Sequence, residues 1–256
     1  MDDNRHKLEK LRRFNWWMFI FHLAQGVVVV LVSTNFKLPV TTTYLTFNTT
    51  SQSPSPTTTT LFHLPLAWLV AIFFFNSALA HLIIATVYNQ TYNANLLQGI
   101  NKARWVEYSI SATIMLIAIA MLVGIYDLQT LVAIFALGIL MNLQGLAMET
   151  YNQGRTTTNW LAFKLGSLAG VVPWLLVAIS FWASAHFGSG QIPTFVYWIY
   201  ASIFLAFNCF AVNMVLQYKK VGKWSDYLYG ERVYIILSLV AKSLLAWQIF
   251  FGTLRP

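Results

Sequence analysis

Apolar positions fill long stretches of the chain, and polar residues gather between them. Seven such stretches run approximately over 14–33, 64–88, 97–126, 130–150, 159–184, 193–217 and 232–252. Each matches or exceeds the roughly 20 residues that an α-helix needs to cross the hydrocarbon core of a bilayer. Connections are short except over 34–63, NFKLPVTTTYLTFNTTSQSPSPTTTTLFHL. Two threonine-rich, β-prone pieces flank SQSPSP there, which predicts a two-stranded hairpin outside the membrane with SQSPSP as its turn. The pattern therefore predicts an all-α protein, one seven-transmembrane helix bundle over 1–256 with a hairpin in its first loop. No internal repeat is visible, so a duplicated transporter architecture gains no support.

Composition agrees. Of 256 residues, 57% are hydrophobic and only 9% charged, against about 25% charged in soluble domains. The single cysteine, Cys209, excludes an intrachain disulfide and reads as a small apolar helix residue. The N-terminal MDDNRHKLEKLRRF leads into an apolar stretch without an A-x-A-like cleavage site, so it reads as a retained arm and first span.

Lysine and arginine set the expected orientation. With the N-terminus cytoplasmic, 13 of the 16 fall on the inside: Arg5, Lys7, Lys10, Arg12, Arg13, Lys102, Arg104, Arg155, Lys164, Lys219, Lys220, Lys223 and Arg232. Only Lys37 and Arg255 fall outside, and Lys242 is the sixteenth. This bias predicts a multi-pass cell-membrane protein with its N-terminus inside, its C-terminus outside and its hairpin extracellular. The net charge of +8 is then explained by basic loops facing anionic membrane lipid, and no nucleic-acid partner is needed.

Lys242 stands alone in the apolar run from Val233 to Phe251. A lysine at mid-span costs roughly 2.5–3.5 kcal/mol on insertion scales, so a partner or a covalent role must offset it. Glu107 is the carboxylate placed within the expected spans, at a similar depth if the third helix begins near Asn95. One reading is a structural ion pair. The other is chemical: an ε-amine held out of water can condense with an aldehyde, and the resulting cation needs a counterion. Seven helices, a central lysine in the last and an acid in the third together look like a rhodopsin.

The stretch Ser238-Leu-Val-Ala-Lys242-Ser-Leu-Leu-Ala-Trp-Gln closely resembles the seventh-helix motif of heliorhodopsins, and Arg104-Trp-Val-Glu107-Tyr108-Ser109-Ile-Ser111 resembles their third helix. The resemblance covers essentially the whole chain. It implies all-trans retinal on Lys242 as a Schiff base, with Glu107 as sole counterion and the N-in orientation already read from the basic residues. It also implies a photoreceptor with a slow photocycle, a signalling role toward an unknown cytoplasmic partner, no ion pumping, no enzymatic activity and a homodimer. A light-driven proton transporter or channel on the same scaffold is the alternative.

Where pumps carry a second aspartate one turn before the lysine this chain has Ser238, and where they carry a proton donor it has Ala118. The resemblance places His22 and His81 in a polar cavity on the cytoplasmic side of the lysine, with Gln25, Ser77 and Ser238 sharing it. Ser77 and His81 are spaced i, i+4 on one helix face. Arg104 and Glu149 are assigned to the same network, although Arg104 also reads as an interfacial anchor and Glu149 as a residue reaching cytoplasmic water. Around the retinal the candidates are Ser77 and Ser238, together with Tyr108, Ser111, Met115, Trp174 and Phe207; Tyr108 directly follows the counterion, and Met115 lies on the same face. His22, His81, His186 and Glu107 include zinc-ligand types, but no H-x-x-x-H or H-E-x-x-H spacing occurs and His186 is expected in an outer loop, so no metal site is expected. Asn48-Thr-Thr and Asn89-Gln-Thr match the glycosylation pattern only at the level of a short motif.

Overall fold

The computed structural model describes residues 2–188 and 192–255. In chain order the described elements are α1 (Asp2–Val32), β1 (Lys37–Asn48), β2 (Ser53–Pro65), α2 (Leu66–Ala85), α3 (Asn89–Leu97), α4 (Lys102–Leu122), α5 (Leu128–Asn152), α6 (Leu161–Phe187), α7 (Thr194–Tyr218) and α8 (Tyr227–Ile249). A 3-10 turn over Gly222–Ser225 precedes α8, and a π-type turn over Phe250–Leu254 extends it. All the helices except α3 are long and apolar enough to cross a membrane, which gives seven.

Local chemistry places the helix starts. The expected span 97–126 divides, because Gly99 adopts a left-handed φ of 73° that ends the chain direction of α3. Asn101 then caps α4, its side-chain oxygen accepting from the Arg104 backbone N–H at 3.0 Å. The third spanning helix thus begins at Lys102 rather than near Asn95. Asp127 caps α5 in the same way through Thr130 N–H, and Asp226 caps α8 through Leu228 N–H at 2.9 Å. The last helix therefore starts five residues before the expected 232, and α6 runs on to Phe187, so that His186 lies in its final turn and not in a loop.

The hairpin is antiparallel, with Lys37 opposite Pro65 and Asn48 opposite Ser53, and a bulge between Val40 and Thr41. Its turn is 49–52 rather than SQSPSP, with Gln52 at a φ of 53°. Asn48 Oδ1 closes the turn by accepting from Thr50 and Ser51 N–H. Pro54 and Pro56 belong to β2, which a two-stranded ribbon tolerates because each strand is an edge. The hairpin base is tied to the bundle. Leu38 and Val40 are buried, Thr41 N–H donates to Tyr126 C=O at 2.9 Å, and Gln129 Nε2 donates to Thr42 Oγ1 at 2.8 Å.

Helices pack in sequence as α1 on α2, α2 on α4, α4 on α5, α5 on α6 and α7 on α8. The main apolar cluster, including Phe73, Leu116, Ile134, Ile199 and Leu245, fills the half of the bundle near the hairpin. Ring contacts bridge α6 and α7, among them Phe181 with Tyr197 and Trp174 with Phe204. Leu168, Val171, Leu175, Trp198 and Leu205 are exposed on the outside of these two helices, the surface a bilayer would cover.

Candidate functional site

Lys242 and Glu107 meet in the core. Lys242 on α8 donates from Nζ to Glu107 Oε1 at 3.0 Å and to Ser238 Oγ, one turn earlier on its own helix, at 2.7 Å. Both charged side chains are buried. The anomaly in the apolar run is thus offset by a short ion pair. The same Glu107 oxygen accepts from Ser77 Oγ on α2 at 2.6 Å. Asn76, the residue before Ser77, donates from Nδ2 to Glu107 Oε1 at 3.3 Å and to the Glu107 backbone carbonyl at 3.2 Å. Ser111 is buried one turn beyond Glu107 on α4.

Beyond the lysine lies a cavity of about 450 Å³ bounded by α4, α5, α6, α7 and α8. Lys242, Ser238, Tyr108, Met115, Trp174 and Phe207 all line it. The Tyr108 ring lies 5.4 Å from Lys242 Nζ, and its hydroxyl donates to Tyr234 C=O on α8 at 2.9 Å, which fixes the ring against the cavity wall. Trp174 closes another side through edge contacts with Tyr200, Phe204 and Phe207. The volume falls within the roughly 300–1,000 Å³ of small-molecule pockets, and the lining is mostly aromatic and aliphatic with one amine. An apolar aldehyde fits that combination.

His22 and His81 are buried and stacked, ring centroids 5.4 Å apart and planes within 6°. His81 Nδ1 is 2.7 Å from Asn15 Oδ1 on α1, and both histidines lie within electrostatic range of Lys242. Ser77, one turn before His81 on α2, directs its hydroxyl to Glu107. Gln25 is engaged elsewhere, its side-chain oxygen accepting from Trp247 Nε1 at 3.0 Å.

Arg104 and Glu149 belong to a separate set. Arg104 is neither an interfacial anchor nor a loop charge: it is buried and bridges two carboxylates, Glu149 through Nη2 and Glu231 through Nη1. Glu149 also accepts from Asn101 N–H at 2.8 Å, Trp105 Nε1 at 2.7 Å and Tyr227 Oη at 2.9 Å, so it does not reach solvent. Glu231 accepts from Tyr92 Oη at 3.0 Å and Asn101 Nδ2 at 2.8 Å. Above the guanidinium sits the Tyr234 ring, 3.9 Å away. Asn15 faces the histidines, its Oδ1 against His81 Nδ1 and its Nδ2 donating to the Leu11 carbonyl of its own helix at 2.9 Å.

Sequence reasoning missed Glu231, Asn76 and Asn15. Glu231 precedes Arg232, which the basic-residue count assigns to the cytoplasmic side, and the Asp226 cap is the signal that puts both on α8. The two asparagines carry no charge to betray them. Among the described residues no group of three or more His, Cys, Asp or Glu side chains is arranged to hold a metal.

Several solved structures share this fold. The chain is similar to a light-driven proton pump from Leptosphaeria maculans (14% identity, 92% of each chain covered, TM-score 0.63). It is also similar to the transmembrane domain of a rhodopsin phosphodiesterase from Salpingoeca rosetta (14% identity, 98% of this chain and 88% of that one, TM-score 0.68). A thermophilic rhodopsin from Rubrobacter xylanophilus matches at 15% identity over 94% and 95% of the two chains, with a TM-score of 0.62. No curated protein matches the chain. At such identities these likenesses establish the seven-helix rhodopsin fold, and family membership comes from the sequence itself. The Heliorhodopsin family model matches residues 11–254, and the chain therefore belongs to the heliorhodopsin family.

Proposed function

We propose that this protein is a retinal-based photoreceptor in which all-trans retinal is linked as a Schiff base to Lys242 and light is converted into a conformational signal, with a slow photocycle and without ion pumping. The observation that carries the reading is Lys242 Nζ lying against Glu107 at the edge of an aromatic cavity of about 450 Å³. When bound, retinal supplies absorption of visible light and a photoisomerisable double bond. The chain supplies the rest. Glu107 balances the positive charge at Nζ, Ser238 holds Nζ in register, and Tyr108, Met115, Trp174 and Phe207 exclude water along the cavity. In this reading the imidazole nitrogens of the stacked pair His22 and His81 would take up a proton released from Nζ.

Two features support signalling over pumping. Ser238 stands one turn before the lysine where an acid would be needed, and the residue eleven beyond Glu107 is the buried, apolar Ala118. The 13-to-2 distribution of basic residues supports a cytoplasmic N-terminus and an extracellular hairpin even with Arg104 withdrawn from the loops. Exposed Leu45 and Phe47 on that hairpin support a homodimer, and the basic loops would face the cytoplasmic signalling partner.

The test is a visible spectrum of protein purified with retinal, recorded beside a pH trace of illuminated cells. A coloured parent, a colourless Lys242→Ala variant and a flat pH trace are expected. A coloured Lys242→Ala variant would remove the linkage. A light-dependent pH change would replace the sensor with a transporter.

A further inference from the structure

Glu107 does not hold its own geometry. Its Oε1 receives three donors, Lys242 Nζ, Ser77 Oγ and Asn76 Nδ2. Asn76 alone among them contacts the Glu107 backbone as well, since one amide group reaches both the carbonyl and the side-chain Oε1 of that residue. That bridge ties the carboxylate to its own helix and limits rotation of the Glu107 side chain. An NH₂ group has two hydrogens, enough to make both bonds at once. Asn76 is partly buried on the α2 face that packs on α4, so the bridge also ties those two helices together at the ion pair.

We infer that Asn76 is a positioning residue for the counterion, fixing the orientation of the Glu107 carboxylate and drawing negative charge off Oε1, and so setting the colour of the pigment. The inference rests on the proposed role of Glu107 beside a chromophore at Lys242. A hydrogen bond to a carboxylate spreads its charge toward the donor. With Asn76 gone, Oε1 presents more negative charge to the cation at Nζ. The ground state, whose positive charge sits nearest that oxygen, is stabilised more than the excited state, and the absorption band moves to shorter wavelength.

Asn76→Leu, which keeps the volume and removes the donors, is compared with the parent, with Glu107→Gln and with the double variant, each purified with retinal. Asn76→Ala serves as a second form in case leucine disturbs packing. A shift to shorter wavelength in the parent background that disappears in the Glu107→Gln background is the expected result, because the amide works only through the carboxylate. Four outcomes overturn the inference. They are an unmoved band, a shift to longer wavelength, an equal shift in both backgrounds, and loss of the pigment in both Asn76 variants. A colourless parent would instead sink the reading of the protein as a retinal photoreceptor, so the two failures are distinguishable.

Discussion

Arg104 is a position where a single substitution would strand two buried charges. Its guanidinium bridges Glu149 on α5 and Glu231 on α8, with side chains only 2% exposed on the acids and 3% on the arginine. Arg104→Ala would leave two buried carboxylates with neutral donors alone: Asn101, Trp105 and Tyr227 on Glu149, and Tyr92 and Asn101 on Glu231. Removing one partner of a buried pair costs about 3–5 kcal/mol, since the stranded charge keeps its desolvation penalty. At about 2–4 °C per kcal/mol for a chain near this size, that is a fall of about 6–20 °C in melting midpoint. The assay is thermal unfolding in detergent, followed by helical circular dichroism and by the visible band of the retinal-loaded protein. Arg104→Lys should fall in between, because an ammonium cannot fork between two acids as a guanidinium does. Arg104→Met combined with Glu149→Gln and Glu231→Gln should recover much of the loss, since no charge is then left unpaired. A midpoint for Arg104→Ala within measurement error of the parent would refute the reasoning, as would a triple variant no more stable than Arg104→Ala.

Gly145→Ala should lower stability by a smaller amount, on the order of 1–3 kcal/mol in the same unfolding assay, because a Cβ there would overlap the Trp105 ring and disturb its bond to Glu149. Glu107→Gln should shift the visible band to longer wavelength, since the negative charge that stabilises the ground state is lost; an unchanged spectrum would remove Glu107 as counterion. Tyr108→Phe removes the donor to Tyr234 C=O and should cost about 1 kcal/mol in the same unfolding assay while leaving the pigment formed.

What could be read from the sequence divides along a physical line. Lys242 and Glu107 were legible because a charge inside an apolar run is an energetic anomaly that demands a partner. Ser238 and Ser77 became meaningful only through spacing to a known partner. Asn76 and Asn15 were invisible, since a neutral amide in a helix is unremarkable until the group it bonds is known. Glu231 is hidden by its neighbour: Arg232 is exposed and Glu231 buried in the second turn of α8, and the pair reads as loop charge until the Asp226 cap is recognised. Trp174 and Phe207 belong to a chain with 19 Phe and 10 Trp, where type alone cannot separate a pocket wall from a lipid contact.

The two buried charge sets share one helix. Arg104, Glu107 and Tyr108 lie within little more than a turn of α4, so the groups that meet α8 at Glu231, Lys242 and Tyr234 are rigidly spaced along a single element. Tyr108 lines the cavity and holds the Tyr234 carbonyl, while the Tyr234 ring covers the Arg104 guanidinium. A turn of α4 against α8 cannot alter the bond at Lys242 without also altering the bond at Glu231. Because both sets are buried and densely hydrogen-bonded, intermediate arrangements would leave charges unpaired, which favours two discrete states over a graded one. The arrangement that stabilises a lysine at mid-span thus also couples it mechanically to the basic end of the bundle, some turns away.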